Sequence, residues 1–219
     1  MKTHVVLDVE MCRVQMRSTG FPYRHEIIQI GAVKLSDSYE IVDEFSTYVR
    51  PRYGKVDFFI KDLTGITEQM VKQAPDIEEA LQRMVQWVGE DEADFYSWSD
   101  TDYYQIRNEI LCKCQENACW DLLLNETNWI DYQAKFSERL ESPRALKLAE
   151  ALDLAEIDPE GHLHDGLADA YNTARLIAKL ETQKDYRTLI ERNRTREKNE
   201  EPLTTSLGAF LQGLVLESA

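Results

Sequence analysis

The segment 5–12 constrains the fold most, because it places two carboxylates inside a run with the composition of a β-strand. Residues two apart in a strand point to the same face of the sheet, so Asp8 and Glu10 project side by side. Neighbouring carboxylates repel each other and resist burial. We therefore expect this pair to bind a hard divalent cation.

Two further segments are predicted to extend the same sheet. Residues 26–35 and 41–49 are rich in β-branched and other apolar residues, and the polar residues 36–40 separate them. Two such runs joined by a short polar segment predict a β-hairpin. Together with the first strand they would form a small sheet that carries Asp8 and Glu10.

A third acid lies at a predicted strand-to-helix junction. Residues 95–99 have the composition of a short buried strand, the acidic residues 90–94 before them are predicted to be a loop, and a helix is predicted from residue 103 to about 116. Asp102 lies between strand and helix, with Asp100 as the alternative. Ligand chemistry in α/β sheets tends to occur at the carboxyl ends of strands.

A fourth acid lies on the helix predicted within the segment 162–177. Asp165 is suited to cap this helix, and Asp169 lies off its apolar face. Asn172 follows Asp169 by three residues, so both side chains could point into one cleft. His164 precedes the helix in a loop, with His162 as the alternative histidine.

These residue types indicate phosphodiester hydrolysis. Oxygen ligands select Mg²⁺ or Mn²⁺ over zinc. Two such ions can stabilise both the attacking and the leaving oxygen of a phosphodiester displacement. A histidine, with an ordinary pKa of about 6.5, can take the proton of an attacking water.

The same residues form a recognisable set of motifs. The chain resembles the DEDDh 3′–5′ exonucleases of the RNase H-like superfamily, which are also called DnaQ-like, and within them the KapD-like, enhanced-RNAi-type branch. The resemblance covers about residues 4–181. It consists of Leu-Asp-Val-Glu at 7–10, the segments 26–33, 43–51 and 63–67, Ser-Trp-Ser-Asp-Thr-Asp at 97–102, and His164 five residues before Asp169.

The resemblance implies an α/β RNase H-like fold with a central mixed sheet flanked by helices. It implies that two Mg²⁺ or Mn²⁺ ions bind four acids and that His164 is the general base; the four acids are Asp8, Glu10, Asp102 and Asp169. Glu10 would also contact the terminal 3′-hydroxyl.

The resemblance also gives candidates for substrate binding. The backbone at Met11 and Cys12 would seat the last nucleotide, and Asn172 is a third candidate, although a structural role for it stays open. The sequence departs from the family at Met11 and Cys12, where a small residue or threonine is common, and at Ser99, where glycine is common.

The chain is expected to divide into an exonuclease domain at 1–181 and an extension at 182–219. Residues 184–200 are net basic and predict either a solvated helix or linker, or an arm that follows phosphates. The apolar stretch 207–216 is expected to pack on the domain or to mediate self-association or binding of a protein partner.

Composition narrows the partners further. With 40 acidic and 25 basic residues the formal net charge is −15, which is unusual for a general binder of long duplex. We therefore expect the partners to be 3′ ends of single-stranded or short RNA or DNA, with RNA slightly favoured by the resemblance. The sequence contains no apolar run of ~20 residues, so we expect no membrane association. Its four cysteines lack the spacing of a zinc site, so we expect them to be reduced in a cytoplasmic protein.

Two other interpretations stay open. The chain could be a non-catalytic binding or scaffold module on the same fold. It could also be a proofreading or repair subunit of a larger complex.

Overall fold

The computed structural model describes residues 3–14, 22–89, 92–183 and 186–199. The predicted apolar stretch 207–216 and residues 90 and 91 of the predicted acidic loop lie outside these ranges. The fold is α/β, as predicted, with a mixed sheet of five strands in the order β3-β2-β1-β4-β5. The strands are β1 (Thr3–Arg13), β2 (His25–Leu35), β3 (Ile41–Tyr48), β4 (Ala93–Ser97) and β5 (Trp129–Asp131).

The strands pair in two directions. β1, β2 and β3 are antiparallel neighbours, whereas β4 runs parallel to β1 and β5 runs parallel to β4. The predicted hairpin between β2 and β3 is confirmed, and Tyr39 takes a left-handed backbone conformation in its turn (φ 61°). The prediction of a loop through residue 94 was wrong at its end, because Ala93 and Asp94 pair with Thr3 and His4 and open β4.

Helices cover both faces of the sheet and begin or end at residues suited to their termini. The described helices are α1 (Phe58–Thr64), α2 (Glu68–Lys72), α3 (Ile77–Val88), α4 (Thr101–Lys113), α5 (Asp121–Leu124), α6 (Tyr132–Arg139), α7 (Leu148–Leu154), α8 (Gly166–Gln183) and α9 (Arg187–Asn199). Thr67 caps α2 by accepting a hydrogen bond from the Met70 N–H, and Gly65 ends α1 at a φ of 74°. No helix among the described residues is long and apolar enough to cross a bilayer.

Alternation along β1 decides which side chains reach which face. Val5, Leu7 and Val9 belong to the core that α3 and α4 help to form. Val6 belongs to the opposite core, which includes residues of α6, α7 and α8. Because the period of a strand is two, Asp8 and Glu10 continue the Val6 row on the α8 face.

Of the basic segment predicted at 184–200, the described residues 186–199 contain helix α9, which is tied to acids of the domain. Arg192 pairs with Glu156, Arg194 pairs with Glu141, and Arg196 lies near Glu150 and Asp153. Leu189 is buried in the same core as α7 and α8. The predicted boundary after residue 181 falls within the last turn of α8, and the division of the chain into two parts stays a prediction.

Candidate active site

The two acids of β1 lie where the strand passes under the start of α8. Asp8 is opposite Gly31 of β2 and Glu10 is opposite Gln29, and the register shifts immediately after Glu10. Both carboxylates are partly buried. The shift turns the strand at the point where its acidic pair ends, as bulges beside active sites commonly do.

Asp102 reaches β1 from the first turn of α4. The pairing of β4 with β1 stops at Tyr96 and Val6, so the strand beyond this point has no β4 partner. The Val9 N–H donates instead to Oδ1 of Asp102 at 3.1 Å. Asp102 is 6% exposed, whereas Asp100 is exposed and its side chain makes no capping hydrogen bond. The structure therefore places Asp102, not Asp100, beside the β1 acids.

A close approach of two glycines brings α8 to the same place. A Cβ at Gly31 would lie 2.2–2.3 Å from the backbone of Gly166 and Leu167. A Cβ at Gly166 would lie 3.2 Å from the backbone oxygen of Asp8. The first turn of α8 thus rests on β2 beside Asp8, at a distance that only a residue without a side chain allows at position 31.

Asp165 and Gln29 fasten this helix start. Oδ1 of Asp165 accepts the Leu167 and Ala168 N–H groups, both at 3.1 Å, which confirms the predicted cap. Gln29 is 2% exposed; its amide donates to Oδ2 of Asp165 at 3.2 Å and accepts the Gly166 N–H at 3.1 Å. Sequence reasoning missed Gln29, although an amide in the otherwise apolar centre of a predicted strand is the kind of signal that marks such a role.

His164 and Asp169 complete the group. His164 is exposed, takes a left-handed conformation (φ 63°), and donates its backbone N–H to Oδ2 of Asp169 at 3.0 Å. One potential ligand atom from each of Glu10, His164 and Asp169 lies within 4.8 Å of the others. Nδ1 of His162 lies 2.8 Å from the Leu163 carbonyl oxygen instead. The structure therefore groups His164 with the acids.

The four acids share one electrostatic environment. Burial, followed by Asp102 and Glu10, raises the pKa of Asp8 well above its ordinary value. Burial, followed by Asp169 and Asp102, raises the pKa of Glu10 to about 8, and burial raises the pKa of Asp102 to about 7. Burial also raises the pKa of Asp169. Crowded, partly buried carboxylates of this kind offer hard oxygen ligands and gain most from a cation, which fits Mg²⁺ or Mn²⁺.

The substrate-binding candidates differ in what they can present. The Cys12 side chain is fully buried beside residues of α1 and α2, so only its backbone can face a ligand. Met11 is partly buried against the core on the α3 and α4 side. Asn172 is 1% exposed, and its amide accepts the Glu160 N–H at 2.9 Å and donates to the Glu160 carbonyl at 2.8 Å. The amide oxygen and the amide nitrogen of Asn172 therefore both bind the loop before α8. This is the structural role that the sequence left open.

Comparison with known proteins places this arrangement in a family. The model of the RNase T exonuclease family matches residues 5–177. ERI1 exoribonuclease 2 of Danio rerio is 31% identical over 204 residues, which cover 81% of this chain and 35% of that protein. The PolC-type DNA polymerase III of Caldanaerobacter subterraneus is 33% identical over 178 residues, which cover 80% of this chain and 11% of the polymerase.

Solved structures agree on the fold. The nuclease domain of 3′hExo, a DEDDh family member bound to rAMP, superposes with a TM-score of 0.69 at 23% identity, covering 82% of this chain and 91% of that one. Exonuclease I of E. coli in complex with a dT13 oligonucleotide superposes with a TM-score of 0.62 at 14% identity, covering 84% of this chain and 42% of that one. The match to the family model extends over most of the chain, and the chain belongs to the RNase T exonuclease family, the DEDDh, DnaQ-like group of 3′–5′ exonucleases.

Proposed function

We propose that this protein is a metal-dependent 3′–5′ exonuclease that shortens single-stranded or short nucleic acid and releases nucleoside 5′-monophosphates. The observation that carries the proposal is the convergence of four acids from β1, α4 and α8 on one face of β1, with His164 beside them. Family membership supports the same conclusion.

The acids are suited to hold two Mg²⁺ or Mn²⁺ ions; they are Asp8, Glu10, Asp102 and Asp169. Bound there, such ions would stabilise the attacking and leaving oxygens of the scissile phosphodiester. The raised pKa values of Asp8 and Glu10 follow from burial and mutual repulsion, both of which a bound cation offsets.

His164 is proposed as the general base. Its side chain is exposed, and one of its ring nitrogens lies within 4.8 Å of carboxylate oxygens of Glu10 and Asp169. The Asp169 carboxylate also accepts the backbone N–H of His164, which fixes the position of the loop. An imidazole there accepts a proton from a water that attacks the last phosphodiester. Glu10 would also accept a hydrogen bond from the terminal 3′-hydroxyl, and the backbone at Met11 and Cys12 would border the last nucleotide.

We propose RNA as the slightly favoured substrate. Within the exonuclease family, we place this protein in the KapD-like, enhanced-RNAi-type branch. The similarity to a protein named an exoribonuclease supports RNA, and the 3′hExo structure contains rAMP. The similarity to a DNA polymerase and to an exonuclease bound to dT13 keeps DNA as the alternative. We place the protein in the cytoplasm, with residues 182–219 available for self-association or a protein partner.

A second candidate is a proofreading or repair subunit of a larger complex. The similarity to part of a PolC-type DNA polymerase favours this candidate, because there the matching segment is 11% of a longer chain. A non-catalytic binding module is the third candidate, and the presence of all four acids and His164 argues against it. Size-exclusion chromatography of the full chain, with and without a polymerase from the same cell, separates an autonomous enzyme from a subunit.

The decisive assay uses matched 5′-labelled single-stranded RNA and DNA with Mg²⁺ or Mn²⁺. We expect a ladder that shortens stepwise from the 3′ end, with nucleoside 5′-monophosphates as products. Asp8→Asn should abolish the ladder, whereas the matched control Asp100→Asn, at an exposed acid, should keep it. Absence of cleavage with both metals would reject the proposal.

A further inference from the structure

The positive charges of this acidic protein are unevenly compensated. Three arginines of α9 lie beside acids of the domain, so their charges are locally compensated; they are Arg192, Arg194 and Arg196. A different set of basic residues lies at the far end of β1. We call Arg13, Arg24, His25 and Lys55 the β1-end cluster.

Backbone pairing holds this cluster together although its members are distant in sequence. Arg13 is opposite His25 in the β1–β2 ladder and forms an antiparallel bridge with Lys55 on its other side. The Val14 N–H donates to the Arg24 carbonyl at 2.8 Å. All four cluster residues are exposed. Across the parts of the chain that the structure describes, Arg13, Arg24 and Lys55 form no ion pair with a carboxylate.

The cluster produces a positive local field. Burial, followed by the charges of Arg13 and Arg24, lowers the pKa of His25. Two acids of the neighbouring segment keep their negative charge but direct it at backbone N–H groups: Asp57 caps α1, and Glu68 accepts the Val56 N–H at 3.1 Å. A local excess of positive charge in a chain of net charge −15 is well placed to attract a polyanion.

Two exposed aromatic rings stand at the start of α1, and one of them contacts the cluster. Phe58 and Phe59 at the start of α1 are 82% and 53% exposed, and the Arg13 guanidinium lies 5.0 Å from the centroid of the Phe59 ring. Stacking on an aromatic ring orients an arginine that faces solvent. Cations combined with exposed rings are typical of surfaces that bind single strands, because unpaired bases offer their faces.

The cluster lies further along β1 than the acids of the candidate active site. Arg13 follows Glu10 by three residues on the same strand, which corresponds to about 10 Å. That distance equals about three nucleotide rises of a stacked strand, at ~3.4 Å each. A strand whose 3′ end reaches Glu10 therefore spans the distance to the cluster with about three nucleotides. In a regular strand Arg13 would leave the opposite face, since it follows Glu10 by three residues, and only the register shift after Glu10 lies between them.

We propose that the β1-end cluster binds the phosphates of a single-stranded nucleic acid whose 3′ end lies in the active site. This inference rests on the proposed function and adds the surface through which a strongly acidic enzyme holds a polyanionic substrate. The cluster, and not the basic residues of α9, then supplies the phosphate contacts.

The test measures binding of a 5′-fluorescein-labelled dT12 strand to the full-length protein in EDTA, where a metal-dependent hydrolysis cannot proceed. The variant carries Arg13→Gln and Lys55→Gln. Loss of two phosphate contacts should lower the slope of log K against log[salt] by about 1.4 and weaken binding about 25-fold at 0.1 M salt, since each contact contributes about 0.7 to the slope. The matched control carries Arg83→Gln and Arg194→Gln, which remove two exposed cations elsewhere.

The outcomes separate this inference from the proposed function. The inference is supported if the cluster variant loses affinity and salt slope, the control keeps both, and the two variants unfold at similar temperatures. It is overturned if the cluster variant keeps wild-type affinity or if the control variant loses as much affinity as the cluster variant. It is also overturned if a dT12·dA12 duplex binds more tightly than the single strand. If the wild type cleaves no strand with Mg²⁺ or Mn²⁺ while the cluster variant still loses affinity, the proposed hydrolysis fails and the binding surface stands.

Discussion

Replacement of Gly31 by alanine tests how α8 is held over the β1 acids. The added Cβ would lie 2.2 Å from Gly166 C and 2.2 Å from Leu167 N, whereas ordinary van der Waals contact begins at 3.4 Å. Backbone atoms cannot rotate aside as a flexible side chain does, so α8 must move by about 1 Å or the sheet must bend. Either movement carries Asp169 away from Asp8.

The magnitude follows from that displacement. Overpacking of this kind costs about 1–3 kcal/mol of unfolding free energy. A misplacement of about 1 Å in a catalytic group can lower activity about 10²-fold. We therefore expect Gly31→Ala to remain folded in the cold, to melt at a lower temperature, and to lose about two orders of magnitude in kcat/KM on a labelled single strand.

Two other glycines supply graded controls. Gly166→Ala places its Cβ 3.2 Å from Asp8 O and 3.4 Å from Gly31 N, so neighbours need to shift only by a few tenths of an ångström and the activity loss should be smaller. Gly65→Ala meets no atom within 4 Å but strains a φ of 74°, so it should cost about 1–2 kcal/mol of stability and leave kcat/KM of the folded enzyme unchanged. Wild-type kcat/KM in Gly31→Ala, measured below its melting temperature, would refute the reasoning.

Three further predictions concern stability. The pKa of Glu10 rises from 4.5 to about 8 in the folded, metal-free protein, so between these pH values the native state binds more protons than the unfolded chain. In EDTA the melting temperature should therefore fall as the pH rises from 5 to 8, and Mg²⁺ should remove this fall. A melting temperature that does not depend on pH would contradict the prediction. Asn172→Ala should lower the free energy of unfolding, measured by chemical denaturation, by about 1–3 kcal/mol, because the loop before α8 loses its hydrogen bonds to the amide. A change in KM alone would instead indicate that Asn172 contacts substrate. Lys113→Met should cost about 3–5 kcal/mol, since it leaves the buried carboxylates of Glu26 and Glu109 without their shared cation, and an unchanged denaturation midpoint would refute that.

The sequence predicted those parts of the fold that depend on short-range pattern. The β-like composition of residues 26–35 and 41–49, the polar turn between them and the cap at Asp165 are all local properties, and the structure contains the two strands, the turn and the cap. The four candidate metal ligands could be predicted because their motif spacing is a property of the chain alone and does not depend on contacts. The prediction of a loop through residue 94 was wrong at Ala93 and Asp94. Their acidic surroundings indicate a loop, whereas their parallel pairing with β1 depends on a distant segment.

The remaining features depend on contacts between distant segments, which no local pattern reveals. The contact of Gly31 with Gly166 joins a strand to a helix that follows it by more than a hundred residues. The hydrogen bonds of Asn172 to Glu160 could not be distinguished in the sequence from those of a substrate-facing amide. The β1-end cluster likewise assembles through backbone pairing of segments near residues 13, 24 and 55.

The central claim is that the acids of β1, α4 and α8 form one site for two divalent ions. Anomalous scattering from crystals grown with Mn²⁺ tests it most directly. We expect two peaks about 3.5–4 Å apart, ligated by Asp8, Glu10, Asp102 and Asp169. A single peak elsewhere on the protein, or no peak within ligand distance of Asp8 at saturating Mn²⁺, would contradict it.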